Sequence, residues 1–445
     1  MRDVTDADLQ LLRLANPWLL DPGSFSGFVA RRRPRDYIPR RLAAAAGWPT
    51  EARAHVLAGA RQVGKTTFLW EHLAARGVPP VFLNAEELWV RAALASPTRA
   101  LADLRQLARP GAPVFIDEAQ WLPEAGLLIK GLVDGGLTGP LYVSGSSSFH
   151  LASRTRESLA GRASRAFMHP LSHAEVCADL DGVPPMLRAN EARARFLRLA
   201  VTGGYPAAWT SDAPSGVLAE LVHALVLRDA SDLFRVQNLD AFRRLLLLLA
   251  GQVGSLVNYA EWASICGVSR DTVGHYVDIL RESQIIFTVS PYAAGKRAEI
   301  TGRPKLYFCD SGIRNAVVGH MQAFDERPDR GAVLEQAVAA EIRKHLDPLS
   351  PGDTLHFWRT KAGAEVDFIF HTKGELLGVE VKASTLREPE LSRSARSFIE
   401  GYEPRRLVVI NLALDARDRV GKTEVRWLPV ERIAELWTEA PSPPG

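Results

Sequence analysis

The sequence predicts an α/β chain of several domains: a phosphate-loop nucleotide-binding domain, a winged-helix domain and a C-terminal α/β domain of metal-nuclease type. Three observations carry this. Residues 59–66 fit G-x-x-x-x-G-K-[ST]. Short apolar runs alternate with helical patterns from residue 55 to about 170, as in a parallel sheet covered by helices. Beyond residue 239 the pattern changes, first to a helix-turn-helix spacing and then to a helix Glu, a strand Asp and an E-x-K strand.

The first observation is the most specific. Val56, Leu57 and Ala58 precede the loop, and Phe68, Leu69 and Leu73 follow at helical spacing, so bound phosphates would sit on a helix N-terminus. Gly59, Ala60, Arg61, Gln62, Val63, Gly64, Lys65, Thr66 and Thr67 form the expected ATP-binding loop. Its backbone N–H groups cradle phosphate, Lys65 reaches the β/γ-phosphates and the Thr66 hydroxyl meets Mg²⁺.

The alternation predicts strands at residues 56–58, 81–84, 114–116, 141–143 and 166–169. The third run ends in Asp117-Glu118, which places both carboxylates at the C-terminal edge of the sheet, where ligands of open α/β sheets bind. There Asp117 is expected in the Mg²⁺ shell, and Glu118 is expected to orient and deprotonate the attacking water. The fourth run ends in hydroxyls at residues 144–148; Ser146 is the candidate for contact with the γ-phosphate or water, and a cap or turn is the alternative. Arg162 is a candidate for stabilising transition-state charge, in cis or from a neighbouring subunit, against the alternative of a surface ion pair.

Upstream, residues 1–45 read as an irregular extension ending in a basic cluster of Arg31, Arg32, Arg33, Arg35, Arg40 and Arg41. Such a cluster is a solvated face, or it closes over a nucleotide or touches nucleic acid. The nucleotide-binding domain is placed at 46–178 and a helical connector at 179–235. A winged helix is placed at 236–320, where Ala263, Gly267, Val273 and Tyr276 have helix-turn-helix spacing and the runs at 285–289 and 305–309 read as a hairpin. Arg270, Thr272, His275, Lys296 and Arg297 are its candidate nucleic-acid contacts; packing or protein docking is the alternative use of such a module.

The last domain, 321–445, contains the third pattern. Strand alternation puts Glu380 and Lys382 on one face, and pairing with the preceding strand would bring Asp367 to Glu380 around one Mg²⁺ or Mn²⁺ ion. Lys382 would help a water attack a phosphodiester, and Glu335 on a helix would complete the site. The alternative is a solvated hairpin with E-x-K salt pairing.

Composition narrows the setting. With 47% hydrophobic and 24% charged residues, the chain has ordinary globular composition, and a net charge of +3 does not by itself argue for nucleic acid. The longest apolar run, residues 245–250, is far short of the ~20 residues of a membrane span, and the acidic N-terminus lacks a signal-peptide layout. A cytoplasmic protein without a membrane partner is expected. Cys177, Cys266 and Cys309 are widely spaced, which suggests neither a disulfide framework nor a zinc site.

Taken together, these residues resemble a large bacterial and archaeal family of AAA-type ATPases with a C-terminal domain of unknown function. The resemblance runs through residues 36–41, 59–67, 115–120, 144–148, 159–163, 170–175, 203–206, 228–229, 304–312 and 357–382. It implies a winged helix joined to a restriction-endonuclease-like fold of PD-(D/E)XK type, whose motif residues match Glu335, Asp367, Glu380 and Lys382. It also implies a homo-oligomer in the ATP state. The expected function is an ATPase that couples nucleotide state to DNA handling, with metal-dependent DNA cleavage; the alternative is a non-nucleolytic switch that binds a protein partner or mediates assembly.

Overall fold

A computed structural model describes residues 6–42, 53–145, 161–224, 236–292, 302–346, 354–372 and 374–437. The chain forms two compact units, residues 1–169 with 282–284, and residues 170–281 with 285–445.

The first unit is organised by a parallel sheet of β1 (Ala54–Gly59), β2 (Val81–Asn84), β3 (Val114–Asp117), β4 (Leu141–Gly145) and β5 (Ala163–Met168) in the order β2-β3-β4-β1-β5. Val56, Leu57, Val114, Phe115, Ile116, Leu141 and Val143 are buried, which is why these strands read as apolar runs rather than as alternating patterns. The strand bearing Asp117 is separated from β1 by β4 alone. Its C-terminal end therefore stands close to the loop that follows β1 and leads into the helix Lys65–Ala75.

The N-terminal extension folds onto this unit. Trp18 is fully buried, donates from Nε1 to Pro80 O at 2.6 Å and packs edge-on against Phe25 and Trp70. Asn16 uses both ends of its amide on Phe82, accepting from Phe82 N at 2.6 Å and donating to Phe82 O at 3.0 Å. It serves the backbone of the sheet's edge strand as another strand would.

The second unit holds an eight-stranded mixed sheet. Its strands are β6 (Ile286–Pro291), β7 (Lys305–Phe308), β8 (His356–Arg359), β9 (Glu365–Thr372), β10 (Glu375–Val381), β11 (Arg406–Asn411), β12 (Ala416–Val420) and β13 (Thr423–Pro429). The order is β12-β13-β11-β10-β9-β8-β6-β7. The expected hairpin is present as antiparallel β6 and β7, with Val289 opposite Lys305. It also joins the C-terminal strands, because Ser290 and Pro291 pair with His356 and Phe357 on β8. Residues on both sides of position 320 thus contribute strands to one sheet.

Ahead of the hairpin lie the helices Leu239–Gly251, Tyr259–Cys266 and Arg270–Glu282. Asn258 caps the second through its side chain, and Gly267, at φ +69°, ends it in the left-handed conformation that glycine adopts without steric cost. Val273, Tyr276, Val277 and Leu280 form the buried stripe of the third helix. Among the described residues no helix is long and apolar enough to cross a membrane.

Candidate functional site

The loop between β1 and the helix Lys65–Ala75 owes its shape to unusual backbone angles. Gly64 is at φ +95° and Gln62, which is not glycine, is at φ +61°. Gly59 is required for a different reason. A Cβ there would lie 2.3 Å from the carbonyl oxygen of Met168 on β5, so the strand end is packed too tightly for any side chain. Lys65 is buried and donates from Nζ to the loop's own carbonyls, Ala60 O at 2.7 Å and Gly59 O at 3.1 Å. Arg40, from the N-terminal basic cluster, donates to Val63 O at 2.7 Å and to His169 O at 2.6 Å. One member of that cluster therefore touches the loop directly, while Arg33 pairs with Glu71.

Asp117 and Thr66 meet beside this loop, the Thr66 hydroxyl lying 3.0 and 3.1 Å from the two Asp117 carboxylate oxygens. Burial pushes the Asp117 carboxyl up to about 6, and the negative charge of Glu118 adds to this, while hydrogen bonds from Ser144 and Thr66 oppose it. Glu118 adopts φ +54°, an uncommon conformation for a residue with a side chain and one often found where function fixes the backbone. Its carboxylate accepts a hydrogen bond from the Gln120 side-chain amide.

Ser144 links the two acidic residues. Its hydroxyl donates to Asp117 Oδ1 and accepts from Glu118 N at 3.3 Å. Ser144 was visible only as the first of several hydroxyls at residues 144–148, and the signal that singles it out is its position as an inward-facing residue near the end of β4. Ser146 lies outside the described residues. Gln120 was likewise not singled out. Arg162 forms a surface ion pair with Asp134 at 2.6 Å, the alternative to a catalytic role.

In the second unit, Arg270 and His275 are exposed at the start of the helix Arg270–Glu282, and Thr272 is half-buried with its hydroxyl 2.8 Å from Ser269 Oγ. Lys296 and Arg297 lie outside the described residues.

The residues expected to hold a C-terminal metal do converge. β9 and β10 pair antiparallel with Val379 opposite Phe368, and Asp367 Oδ2 accepts from Val381 N at 2.7 Å. Glu380 is buried, pairs with Lys382 at 2.6 Å and accepts from Ser392 Oγ at 3.0 Å. Glu335, from the helix Arg330–His345, accepts from Tyr307 Oη at 2.6 Å. A further residue, Lys305 of β7, reaches the same cluster, its ammonium 2.5 Å from Glu365 Oε1 and 3.4 Å from Glu335 Oε1. Sequence reading missed Lys305 and Glu365, because only the pairing of β6 with β8 brings the hairpin to the carboxylates.

Asp367 is held well above the ordinary carboxylate range, first by burial and then by the charge of Glu335. Burial alone would lower the Lys305 ammonium, yet Glu335 and Glu365 outweigh it and hold the group above its usual value. A protein ammonium thus stands between two of the carboxylates, Glu335 and Glu365. Among the described residues, no group of three or more His, Cys, Asp or Glu is placed to hold a metal.

Comparison with known proteins matches three segments of the chain. Residues 51–177 match the model of an AAA domain family, residues 193–323 a domain of unknown function (DUF8612) and residues 330–431 another (DUF4143). An uncharacterised protein of Mycobacterium tuberculosis is 29% identical over 383 residues, covering 84% of this chain and 80% of the relative. An uncharacterised protein of Haemophilus influenzae is 22% identical over 349 residues, covering 73% of this chain and 81% of the relative. Among solved structures, the replication initiator DnaA bound to AMPPCP and single-stranded DNA is 12% identical with a TM-score of 0.25, covering 55% of this chain and 86% of DnaA. The parallel sheet, the loop that follows β1 and the family match together support an AAA-type P-loop ATPase domain at residues 51–177.

Proposed function

We propose that this chain binds ATP with Mg²⁺ at the loop of residues 59–67 and hydrolyses it. The observation that carries this reading is the meeting of the Thr66 hydroxyl with the Asp117 carboxylate at 3.0 Å, beside a loop whose lysine is already drawn in. A hydroxyl and a carboxylate are hard oxygen donors suited to Mg²⁺, which when bound neutralises charge on the phosphate oxygens. Lys65 supplies positive charge to the β- and γ-phosphates. Glu118 orients the attacking water and takes its proton, and Gln120 holds the Glu118 carboxylate until substrate arrives.

The nucleotide state is coupled to DNA through the winged helix. Support comes from the exposed Arg270 and His275 in the first two turns of a helix that follows a glycine turn and precedes a hairpin. Subunits assemble in the ATP state, with Arg162 as the residue that one copy presents to the next. Metal-dependent cleavage is not part of this function, because Glu335 and Glu380 already pair with the Lys305 and Lys382 ammonium groups and Asp367 with a backbone N–H. The restriction-endonuclease-like fold then serves as a scaffold for DNA or a protein partner.

The test is a pair of variants. Lys65→Ala should abolish ATP binding by calorimetry, whereas Glu118→Gln should bind ATP normally and lose about 10²-fold or more in phosphate release. Wild-type turnover in Glu118→Gln would refute the assigned base. Mass photometry of Glu118→Gln with ATP tests assembly, and a strict monomer would refute it.

A further inference from the structure

Lys305 is nearly inaccessible, at 3% exposure, although lysine is among the residue types least often buried. Its surroundings explain the burial. The ammonium lies between Glu365 at 2.5 Å and Glu335 at 3.4 Å, with the Phe357 ring centroid at 5.5 Å. Glu365 also pairs with Arg359 at 3.3 Å, and Glu335 also accepts from Tyr307. The remaining two carboxylates have their own donors, Val381 N for Asp367, and Lys382 with Ser392 for Glu380. Glu335, Glu365, Asp367 and Glu380 are thus served by Lys305, Arg359 and Lys382 together with hydroxyl and backbone donors.

We propose that Lys305, held between Glu335 and Glu365 next to Asp367, is the resident cation of this cluster, and that the second unit binds no metal there. The position follows from topology. Lys305 lies on β7, opposite Val289 of β6, at the edge of the sheet where the hairpin meets β8. It reaches one carboxylate on the helix Arg330–His345 and one on β9, so it ties the hairpin to the C-terminal part of the unit. An ammonium within reach of the Glu335 and Glu365 oxygens opposes a divalent ion at Asp367 beside them by repulsion, and a tethered cation has no dissociation equilibrium to lose. The inference is independent of the nucleotide reading, since it concerns residues of the other unit.

The experiment is Mn²⁺ titration of the full chain, followed by calorimetry and by loss of the free-ion paramagnetic resonance signal, in wild type, Lys305→Met, Lys305→Arg and Lys305→Met/Asp367→Asn. Wild type and Lys305→Arg should show no Mn²⁺ binding that depends on Asp367. Lys305→Met removes the cation shared by Glu335 and Glu365. It should melt at a lower temperature, gain one Mn²⁺ per chain about tenfold or more tighter than any wild-type binding, and recover melting temperature when Mn²⁺ is added. The double variant should lose that gain. If Lys305→Met does not fold, Lys305→Gln keeps a hydrogen-bond donor and should show the same gain, and wild type with Asp367→Asn decides the matter unaided. Stoichiometric Mn²⁺ binding by wild type that disappears in Asp367→Asn would overturn the proposal, as would a Lys305→Met or Lys305→Gln protein with no gain in Mn²⁺ binding.

Discussion

Gly59 and Gly64 both belong to the phosphate-loop motif, but the structure gives them unequal costs of substitution. In Gly59→Ala the new Cβ would lie 2.3 Å from Met168 O, about 1 Å inside ordinary contact. The oxygen belongs to the backbone of β5, which pairs with β1 at this point, so no rotamer change relieves the clash. Overpacking of this kind costs about 1–3 kcal/mol, and a side chain at φ +157° adds about 1–2 kcal/mol. In Gly64→Ala the Cβ meets nothing within 4 Å, and only the strain at φ +95° remains, about 1–2 kcal/mol. Gly59→Ala should therefore lose about 2 kcal/mol more than Gly64→Ala in urea unfolding of the nucleotide-free protein. The added loss corresponds to about 4–8 °C in melting temperature for a unit of this size. Equal losses in the two variants would refute the argument that close approach of β5, rather than backbone angle alone, imposes glycine at position 59.

Two further outcomes follow from the same unit. Ser144→Ala removes the donor that serves Asp117 and the acceptor that serves Glu118 N, and should lower ATP turnover about tenfold with little change in ATP affinity, as read from steady-state kinetics and calorimetry. His55 is buried on β1 and stacked on Tyr142 at 4.9 Å, and burial lowers its pKa from 6.5 to about 4. The unfolded ring takes a proton near 6.5 while the folded ring resists until about 4, so stability present above pH 6.5 is lost as pH falls through that window. Between pH 7.5 and 5 the loss due to His55 is about 2 kcal/mol, and His55→Phe should remove that part of the acid sensitivity in pH-dependent urea unfolding. An unchanged pH profile in His55→Phe would show that the ring titrates normally.

The sequence by itself located the parts whose physics is local. A phosphate loop needs its glycines, lysine and threonine within one turn between a strand and a helix, and buried parallel strands need continuous apolar runs. Residues 81–84 and 114–116 accordingly lie in strands where those runs predicted them, the latter strand running one residue further to Asp117. The helix that Gly267 ends and the buried stripe of Val273 and Tyr276 on the next were legible for the same reason, since neighbours a few residues away set them. Only the tertiary structure decided which side chains meet across elements. Ser144 gained its place between Asp117 and Glu118 from the adjacency of β3 and β4, which no local pattern encodes. Arg40 reached Val63 and His169 from a basic cluster whose sequence did not decide between a solvated face and a part that closes over a nucleotide. Lys305 shows the limit most clearly. Its sequence neighbourhood spells a strand, while its chemistry depends on Glu335, 30 residues away, and on Glu365, farther still. Charge balance in a buried cluster is a property of the packed arrangement, and the hairpin had to join the C-terminal sheet before a lysine on it could pair with Glu335 and Glu365.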